Sequence, residues 1–141
     1  MKRSAKAFWQ GDLKSGHGQL STQSGVLHET QYSFNTRFTD GIGSNPEELL
    51  AASHAGCFTM AIAYALSQQQ IQPGILNTTA VVSLDMATAS ISLIELELSA
   101  TAIEGLSPEA FQEIALQAKN NCVISKVLAG VQVELTVHYH S

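Results

Sequence analysis

The stretch NPEELLAASHAGCFTMAIAYAL, residues 45–66, decides the fold. Asn45 suits the N-cap of a helix, Pro46 suits its first position, and Glu48 completes a capping-box pattern three residues after the cap. The run from Leu49 to Leu66 contains no Asp, Glu, Lys or Arg. Because a helix that is apolar on all sides is buried on most of them, we predict a long helix at the centre of the domain.

The segment before this helix predicts short strands. It is rich in Gly, Ser, Thr and Gln, and it contains short apolar patches around Ala7 to Trp9, Gln19 to Thr22 and Tyr32 to Phe34. Glycine turns separate these patches from one another. Strand-like patches bounded by glycine turns are typical of β-structure, so we predict three strands here.

Three more strands are predicted after the central helix. Apolar residues alternate with polar ones from Thr78 to Met86, from Ser90 to Ala100 and from Val131 to Tyr139. Alternation of this kind is typical of strands with one face buried. The second run changes parity at Ile94-Glu95, which predicts a β-bulge at that point.

A second helix is predicted between the last two of these strands. Ser107 suits its N-cap and Pro108 its first position, and the helix should end near Asn120-Asn121. A short helical piece is predicted from Cys122 to Leu128. The apolar stripe of the second helix comprises Phe111, Ile114, Ala115 and Ala118. This order of elements indicates an α+β fold, with antiparallel sheets packed around helices, in a single domain spanning 1–141.

The composition excludes several classes of protein. The chain has 141 residues, of which 45% are hydrophobic and 13% charged, and its net charge is -5. Binding to nucleic acids or anionic membranes needs concentrated positive charge, so neither is expected. We expect no apolar stretch as long as the roughly 20 residues of a membrane span and no signal peptide, which predicts a cytoplasmic protein. The low charged fraction indicates that a second subunit covers part of the surface.

The chain contains two cysteines, Cys57 and Cys122. Cys57 lies within the apolar helix, where burial raises the pKa of a thiol, so a cation from elsewhere must stabilise its thiolate if it is reactive. Cys122 lies where one helical piece ends and another begins, and N–H donors at a helix start lower a thiol pKa. From the residues alone, an inert pair in the core and a redox couple both stay open.

Arg37 and Glu47 are candidate partners of a reactive thiol. Arg37 lies between Phe34 and Phe38, so we expect it to be partly buried and to need an acidic partner. Glu47 opens the central helix, roughly 15 Å from Cys57 along one continuous helix, so it can act only by orienting an arginine. The alternatives are a surface arginine and a carboxylate that only favours the helix dipole.

His54 offers two further alternatives. It lies three residues before Cys57, on the same helix face, and could act as the general base of a Cys–His hydrolase. It could also join Cys57, Cys122 and His28 in a metal site, but this spacing matches no compact ligand pattern. We predict no metal site, and no cofactor site because the chain lacks a nucleotide-binding glycine motif. A histidine that is simply buried and hydrogen-bonded is the other interpretation.

Three segments resemble the OsmC/Ohr family of organic hydroperoxide reductases, and the OsmC branch in particular. They are SGVL with YSFNTRF (residues 24–27 and 32–38), the stretch from 45 to 61, and AKNNCVISKVL (residues 118–128). The second segment is the most specific, because an Asn-Pro-Glu-Glu-Leu lead followed by His-x-x-Cys-Phe is not a common chance pattern. The resemblance covers nearly the whole chain.

The resemblance implies a two-cysteine peroxidase with an OsmC-like fold, built as an intertwined homodimer. Cys57 matches the peroxidatic cysteine and Cys122 the resolving one. Arg37 matches the arginine typical of the OsmC branch, and Glu47 the glutamate that pairs with it. The resemblance also implies an antioxidant role in the oxidative stress response, with regeneration by external thiols, notably dihydrolipoyl groups. Val123 stands where the family often has proline, which should loosen the start of that helical turn.

The predicted activity is therefore the reduction of organic hydroperoxides to alcohols. Cys57 would form a sulfenic acid, Cys122 would convert it to a redox-active disulfide, and an external dithiol would restore both thiols. Side chains expected to shape an apolar substrate pocket are Phe34, Phe38, Phe58 and Met60. The rivals are a hydrolase using Cys57 and His54, a non-catalytic redox sensor or ligand-binding dimer, and a purely structural thiol pair.

Overall fold

The computed structural model describes residues 1–140. Two compact units are present, Met1–Leu49 and Leu50–Ser141. The first contains an antiparallel sheet in the order β1-β2-β3, with strands at Ala5–Gln10, His17–Thr22 and Thr30–Tyr32. These strands confirm the three strands predicted in the N-terminal segment.

A short helix, α1, spans Phe34–Phe38 and was not predicted. The side chain of Ser33 accepts a hydrogen bond from the Thr36 N–H at 3.3 Å, and Thr36 Oγ1 accepts one from the Ser33 N–H at 2.8 Å. This reciprocal capping box begins the helix. The prediction that strand structure extends to Phe34 is therefore wrong, because capping at Ser33 turns the chain into a helix one residue earlier.

The long helix α2 spans Pro46–Gln68, close to the predicted bounds. The Glu48 N–H donates to Asn45 Oδ1 at 2.8 Å, which confirms the predicted cap. The Glu48 carboxylate accepts from Ser44 Oγ at 2.7 Å, so only the Asn45 half of the predicted capping box forms. The reason is that the Ser44 hydroxyl, next to the cap, offers the carboxylate a donor of its own.

The burial predicted for α2 is only partly present in the single chain. The buried side chains of this helix form one stripe with a spacing of four residues, namely His54, Phe58, Ile62 and Leu66. Met60 and Tyr64 are 75% and 67% exposed. The expectation of burial on most sides is therefore wrong for one chain, because the residues packed against α2 within the second unit cover a single stripe of it.

The length and composition of α2 also correct the expectation about membrane-length stretches. By those two criteria this one helix among the described residues is long and apolar enough to cross a membrane, and 22% of its most apolar window is buried. A core helix of a soluble protein meets the same criteria. Hydropathy alone therefore does not assign this helix to a lipid or a protein environment.

The second unit contains a mixed sheet in the order β4-β5-β6. Its strands are Leu76–Asp85, Ser90–Thr101 and Gln132–His140. β4 pairs with β5 in antiparallel fashion, as predicted, but β6 pairs with β5 in parallel. The prediction of purely antiparallel sheets is thus wrong, because the helices between β5 and β6 form a crossover that returns the chain in the direction of β5.

The β-bulge in β5 lies earlier than predicted. Leu84 pairs with Ile91 and Ser83 pairs with Leu93, which leaves Ser92 as the extra residue. Leu93 is apolar and follows Ile91 by two residues, so the alternation in the sequence continues past the extra residue Ser92. The parity of the apolar residues therefore changes only at Ile94, after the true position of the bulge. The predicted position at Ile94-Glu95 is therefore wrong by about two residues.

Two helices complete the second unit, α3 at Pro108–Asn121 and α4 at Val123–Val127. Ser107 caps α3 by accepting a hydrogen bond from the Ala110 N–H at 3.2 Å, as predicted. The predicted apolar stripe of α3 is buried. It joins a core formed with residues from α2 and β5, of which the largest are Phe58, Phe111, Ile62, Leu66, Leu96 and Leu98.

Candidate functional site

Cys122 forms the boundary between α3 and α4. Its N–H donates to the Ala118 carbonyl at 2.8 Å and closes α3, while its own carbonyl accepts from the Lys126 N–H at 3.1 Å and opens α4. The residue is therefore the C-cap of one helix and the N-cap of the next, as the sequence predicted. Its side chain is 2% exposed, and the thiol is free.

Cys57 lies in α2, one turn after His54, and is half-buried with a free thiol. Burial raises the pKa of Cys57, and a hydrogen bond with the Cys122 side chain raises it further. The backbone N–H groups of Ile124 and Val123 act in the opposite direction. The fold therefore brings the two thiols together, although they lie far apart in the sequence.

The pKa of Cys122 is shifted in the opposite direction. Burial on its own would raise this pKa, but hydrogen bonds from Cys57 and from the backbone and hydroxyl of Ser125, with a smaller one from the Ile124 N–H, lower it. A thiolate is stabilised when several donors point at its sulfur, even in a buried position. In the thiol pair, the pKa of Cys57 is thus raised and that of Cys122 lowered.

His54 does not face Cys57 as a general base would. It is fully buried, and its Nε2 lies 2.8 Å from Ser125 Oγ in α4. Its Nδ1 is buried without a hydrogen-bond partner among the described residues. Burial lowers the pKa of His54, and the charge of Lys119 lowers it further. The geometry therefore does not support the Cys–His hydrolase, which needs the imidazole at the sulfur.

Arg37 and Glu47 form an ion pair within the first unit. Nη2 of Arg37 donates to Glu47 Oε1 at 2.7 Å, and Nε contacts the two carboxylate oxygens at 3.1 and 3.2 Å. These hydrogen bonds raise the pKa of Arg37. The Asn45 side chain donates to the Thr36 carbonyl at 3.0 Å and so ties the end of α1 to the start of α2. Sequence reasoning had named this pair.

The guanidinium of Arg37 keeps one side available. Glu47 occupies Nε and Nη2, and within the first unit Nη1 has no acceptor. The Arg37 side chain is 41% exposed, whereas that of Glu47 is 15% exposed. Cζ of Arg37 lies 5.3 Å from the centre of the Phe38 ring, in a cation–π contact. A clamped arginine with free donors is suited to bind an anion or a polar oxygen.

An apolar cavity of about 300 Å³ lies beside Arg37 in the first unit. Its lining consists of Trp9, Leu13, Tyr32, Ser33, Phe34, Arg37, Phe38 and Pro46. Phe34 and Phe38 were predicted to shape a substrate pocket and they do line this one. Sequence reasoning missed the contribution of Trp9 and Leu13, because only the folded sheet brings β1 and the turn after it next to α1.

Two of the predicted pocket residues lie elsewhere. Phe58 is fully buried in the core of the second unit, and Met60 is 75% exposed on α2. The prediction that Phe58 lines a substrate pocket is wrong, because it belongs to the buried stripe of the helix and packs against the sheet.

Among residues 1–140, no three His, Cys, Asp or Glu side chains cluster in a way that could hold a metal ion. Within the second unit, His54, Cys57 and Cys122 do not form such a cluster. Ser125, which contacts His54, was not singled out from the sequence. The available signal was its place three residues after Cys122, the position that lies beside an N-cap side chain.

Comparison with known proteins places the chain in a family. The family model described as "OsmC-like protein" matches residues 39–136. The chain is 41% identical over 138 residues to the Peroxiredoxin OsmC of Escherichia coli, covering 97% of this chain and 94% of the relative. It is 31% identical over 101 residues to an organic hydroperoxide resistance protein-like protein of Staphylococcus aureus, with coverage of 70% and 72%.

The fold leads to the same family. A crystal structure of an organic hydroperoxide resistance protein OsmC from Legionella pneumophila matches with a TM-score of 0.68 and 27% identity, covering 96% of each chain. It covers both the N-terminal sheet and the mixed sheet of this chain. With the family model matching well over half of the residues, the chain belongs to the OsmC-like family.

Proposed function

We propose that this protein is a thiol-dependent peroxidase that reduces organic hydroperoxides to alcohols. The observation that carries the proposal is the thiol pair, in which Cys57 and Cys122 interact within a fold of the OsmC-like family. Two free thiols that share a hydrogen bond can form a disulfide after one of them is oxidised. The names of the relatives, peroxiredoxin and organic hydroperoxide resistance protein, agree with this chemistry.

In the proposed cycle, the Cys57 thiolate attacks one oxygen of the peroxide bond. The O–O bond breaks, the alcohol leaves, and the sulfur becomes a sulfenic acid. The Cys122 thiolate then attacks this sulfur, which releases water and forms the Cys57–Cys122 disulfide. An external dithiol, for which we propose a dihydrolipoyl group, returns both cysteines to the thiol form. Each cycle therefore reduces one hydroperoxide to an alcohol and water and oxidises one dithiol to a disulfide.

Arg37 supplies the cation that the Cys57 thiolate needs. Among residues 50–140, the Cys57 pKa is shifted by burial, by the neighbouring thiol and by two backbone N–H donors. None of these neighbouring groups carries a positive charge. The Glu47 clamp fixes the guanidinium and leaves Nη1 free. We propose that this arginine, from either protomer, stabilises the thiolate and polarises the peroxide. The cavity beside it would hold the organic group of the substrate.

The assembly that we propose is a homodimer of one OsmC-like peroxidase domain, residues 1–141. Its support is the apolar surface of α2 that a single chain leaves exposed, including Met60 and Tyr64. A surface of this kind is stabilised by burial against another subunit. Sedimentation of the purified protein at the mass of one chain would contradict the dimer. We place the protein in the cytoplasm, where the reducing environment keeps free thiols reduced.

The activity is tested by following cumene hydroperoxide consumption with dihydrolipoamide and, separately, with a monothiol. Turnover should require Cys57 and should be faster with the dithiol. Cys57→Ser should abolish turnover, because the other thiol, Cys122, has a side chain that is only 2% exposed and so does not meet the peroxide. Cys122→Ser should reduce about one peroxide per chain and then stop or over-oxidise. A Cys57→Ser protein that consumes the peroxide at the rate of the native protein would refute the proposal.

A further inference from the structure

The second unit carries its positive charge at one place. Lys119 and Lys126 are the only lysine or arginine residues after Leu49. Lys119 lies in the last turn of α3 and Lys126 in the last turn of α4, on either side of the helix boundary at Cys122. The helix dipole favours a cation in the last turn, which accounts for each position separately. It gives no reason for the two side chains to line one cavity, as they do.

The cavity at this junction has a volume of about 300 Å³ and lies within the second unit. Its polar lining comes from Lys119, Asn120, Ser125 and Lys126, and none of its lining residues is acidic. The rest of the lining is apolar and includes Leu128 and Val131. A cavity of this size, with a few polar groups and an apolar wall, is typical of a site for a small molecule.

Neither ammonium group has a counter-ion within the second unit. Among residues 50–140, no carboxylate is close enough to Lys119 or Lys126 to form an ion pair, and neither Nζ donates a hydrogen bond. Lys119 is half-buried, so its ammonium loses part of its hydration without gaining a partner. An anion in the cavity would supply the missing counter-charge to the two lysines together.

Ser125 adds a hydroxyl donor to the lining. Its Oγ lies 2.8 Å from Nε2 of the buried His54, and it makes no other side-chain hydrogen bond among residues 50–140. Nδ1 of His54 has no partner among the described residues, so a proton there would leave a buried donor unsatisfied. The neutral imidazole therefore keeps its proton on Nε2 and donates to Ser125 Oγ. The hydroxyl proton of Ser125 is left for an acceptor in the cavity.

We propose that this cavity binds a small amphiphilic carboxylate, of the class of medium-chain fatty acids. The ammonium groups of Lys119 and Lys126 bind the carboxylate, the Ser125 hydroxyl donates to it, and the aliphatic chain packs against Leu128 and Val131. The apolar wall favours such a molecule over a fully hydrated anion such as phosphate. The proposal goes beyond the peroxidase activity and does not depend on it.

The location of the site is tested by titrating octanoate into the reduced, isotope-labelled protein and following the amide chemical shifts by NMR. The largest changes should occur at the junction of α3 and α4, including Asn120, Ser125 and Leu128. No peroxide is present, so a protein that binds octanoate here and reduces no hydroperoxide would keep this proposal and refute the proposed function. Absence of binding, or changes confined to the cavity beside Arg37, would overturn the proposal.

The chemistry of the ligand is tested with matched compounds on the unaltered protein, by isothermal titration calorimetry. Octanamide has the same chain without the charge and should bind about tenfold more weakly than octanoate. Acetate has the charge without the chain and should also bind at least about tenfold more weakly, because it leaves the apolar wall uncovered. An affinity for octanamide or for acetate equal to that for octanoate would overturn the proposal.

The role of the lysines is tested with Lys119→Met and Lys126→Met, which keep an apolar stem and remove the charge. Each variant should weaken octanoate binding by roughly threefold to tenfold, and the double variant should weaken it further. Lys6→Met is the matched control, because Lys6 is an exposed lysine in β1 of the first unit. It should leave the affinity unchanged. Native affinity in the double variant, or an equal loss in Lys6→Met, would overturn the proposal.

Discussion

The middle of α2 and the junction between α3 and α4 each present one thiol, in opposite settings. Cys57 lies within a long helix, where the backbone N–H groups are already bonded within the helix, and its pKa is raised by burial. Cys122 is the more deeply buried, yet its pKa is lowered, first by the hydrogen bond from Cys57 and then by the backbone and hydroxyl of Ser125. Depth of burial therefore does not rank the two thiols. The number of donors that reach each sulfur does.

This comparison assigns different requirements to the two cysteines. Cys122 obtains the stabilisation of its thiolate from neutral neighbours, first Cys57 and then Ser125. Cys57 has two N–H donors nearby, but they do not outweigh burial, so its activation depends on a charged group brought by the rest of the assembly. Substitutions at Arg37 or Val123 and changes in pH should therefore alter the reactivity of the two thiols to different extents.

The largest effect is expected from Arg37→Leu. Removing the cation should reduce kcat/KM for an organic hydroperoxide by about 100-fold, because the charge that develops on the reacting atoms loses its stabilising donor. Arg37→Lys should recover only part of this loss, since an ammonium cannot keep the paired contact with Glu47. Steady-state kinetics with cumene hydroperoxide measure the change.

Arg3→Leu is the matched control, because Arg3 is the only other arginine in the chain. It should leave the kinetics unchanged. If Arg37→Leu retains native kcat/KM while the protein is folded, another group activates Cys57 and the difference between the two thiols has a different origin.

A smaller effect is expected in the pH dependence of alkylation. In the Cys57→Ser protein, the introduced hydroxyl can donate to Cys122 in place of the thiol, so the Cys122 pKa should stay lowered and its reaction with iodoacetamide should begin at a lower pH than that of an ordinary thiol. In a Cys122→Ser, Arg37→Leu protein, Cys57 keeps the pKa raised by burial and should react only at higher pH. Near neutral pH, Cys122 should therefore react at a larger fraction of its own high-pH rate than Cys57 does; the fractions are compared because the Cys122 side chain is only 2% exposed.

Restoring Arg37 sharpens this test. In the Cys122→Ser protein with Arg37 present, the onset of Cys57 alkylation should move to lower pH, because the guanidinium favours the thiolate. Identical pH profiles with and without Arg37 would contradict the proposed role of the arginine, although the profile of Cys122 would still report on its own donors.

The smallest effect is expected from Val123→Pro. The Val123 N–H is one of the donors that lower the Cys57 pKa, and proline has no N–H. The backbone of Cys122 has φ -56° and ψ 125°, a conformation that a following proline accepts. The variant should therefore fold, and its reaction with the peroxide should slow by about threefold.

Val123→Ala is the control for this change, because it alters the side chain and keeps the N–H. The Val123 side chain is 64% exposed, so its truncation should not disturb the core. If the proline and alanine variants react at the same rate as the native protein, the N–H of residue 123 contributes nothing to Cys57. Stopped-flow measurement of the first peroxide reduction gives these rates.

The helix starts and the strand patterns were accessible from the sequence, because they depend on neighbouring residues. Asn45 and Ser107 cap α2 and α3 as predicted, and Cys122 stands at the helix boundary where it was placed. The local capping box of Ser33 and Thr36 was overlooked, although its signal is present in the sequence. The ion pair of Arg37 and Glu47 was also expected, although the prediction of a partly buried arginine is wrong, because Arg37 is exposed.

Other features depend on packing between distant segments. Whether β6 joins β5 in parallel follows from the path of the helices between them, which strand alternation does not record. The placement of Phe58 in the core, away from any pocket, follows from which stripe of an almost wholly apolar helix meets the sheet.

The sequence by itself determined where the helices begin and end, which residues are thiols, and which family motifs surround them, because capping and periodicity act over a few residues. Only the tertiary structure decided that Cys57 and Cys122 share a hydrogen bond, that His54 bonds to Ser125 and leaves Cys57 alone, and that the more buried thiol is the more acidic. The pKa of a buried sulfur depends on donors from distant parts of the chain, and the packing of the fold brings them to it.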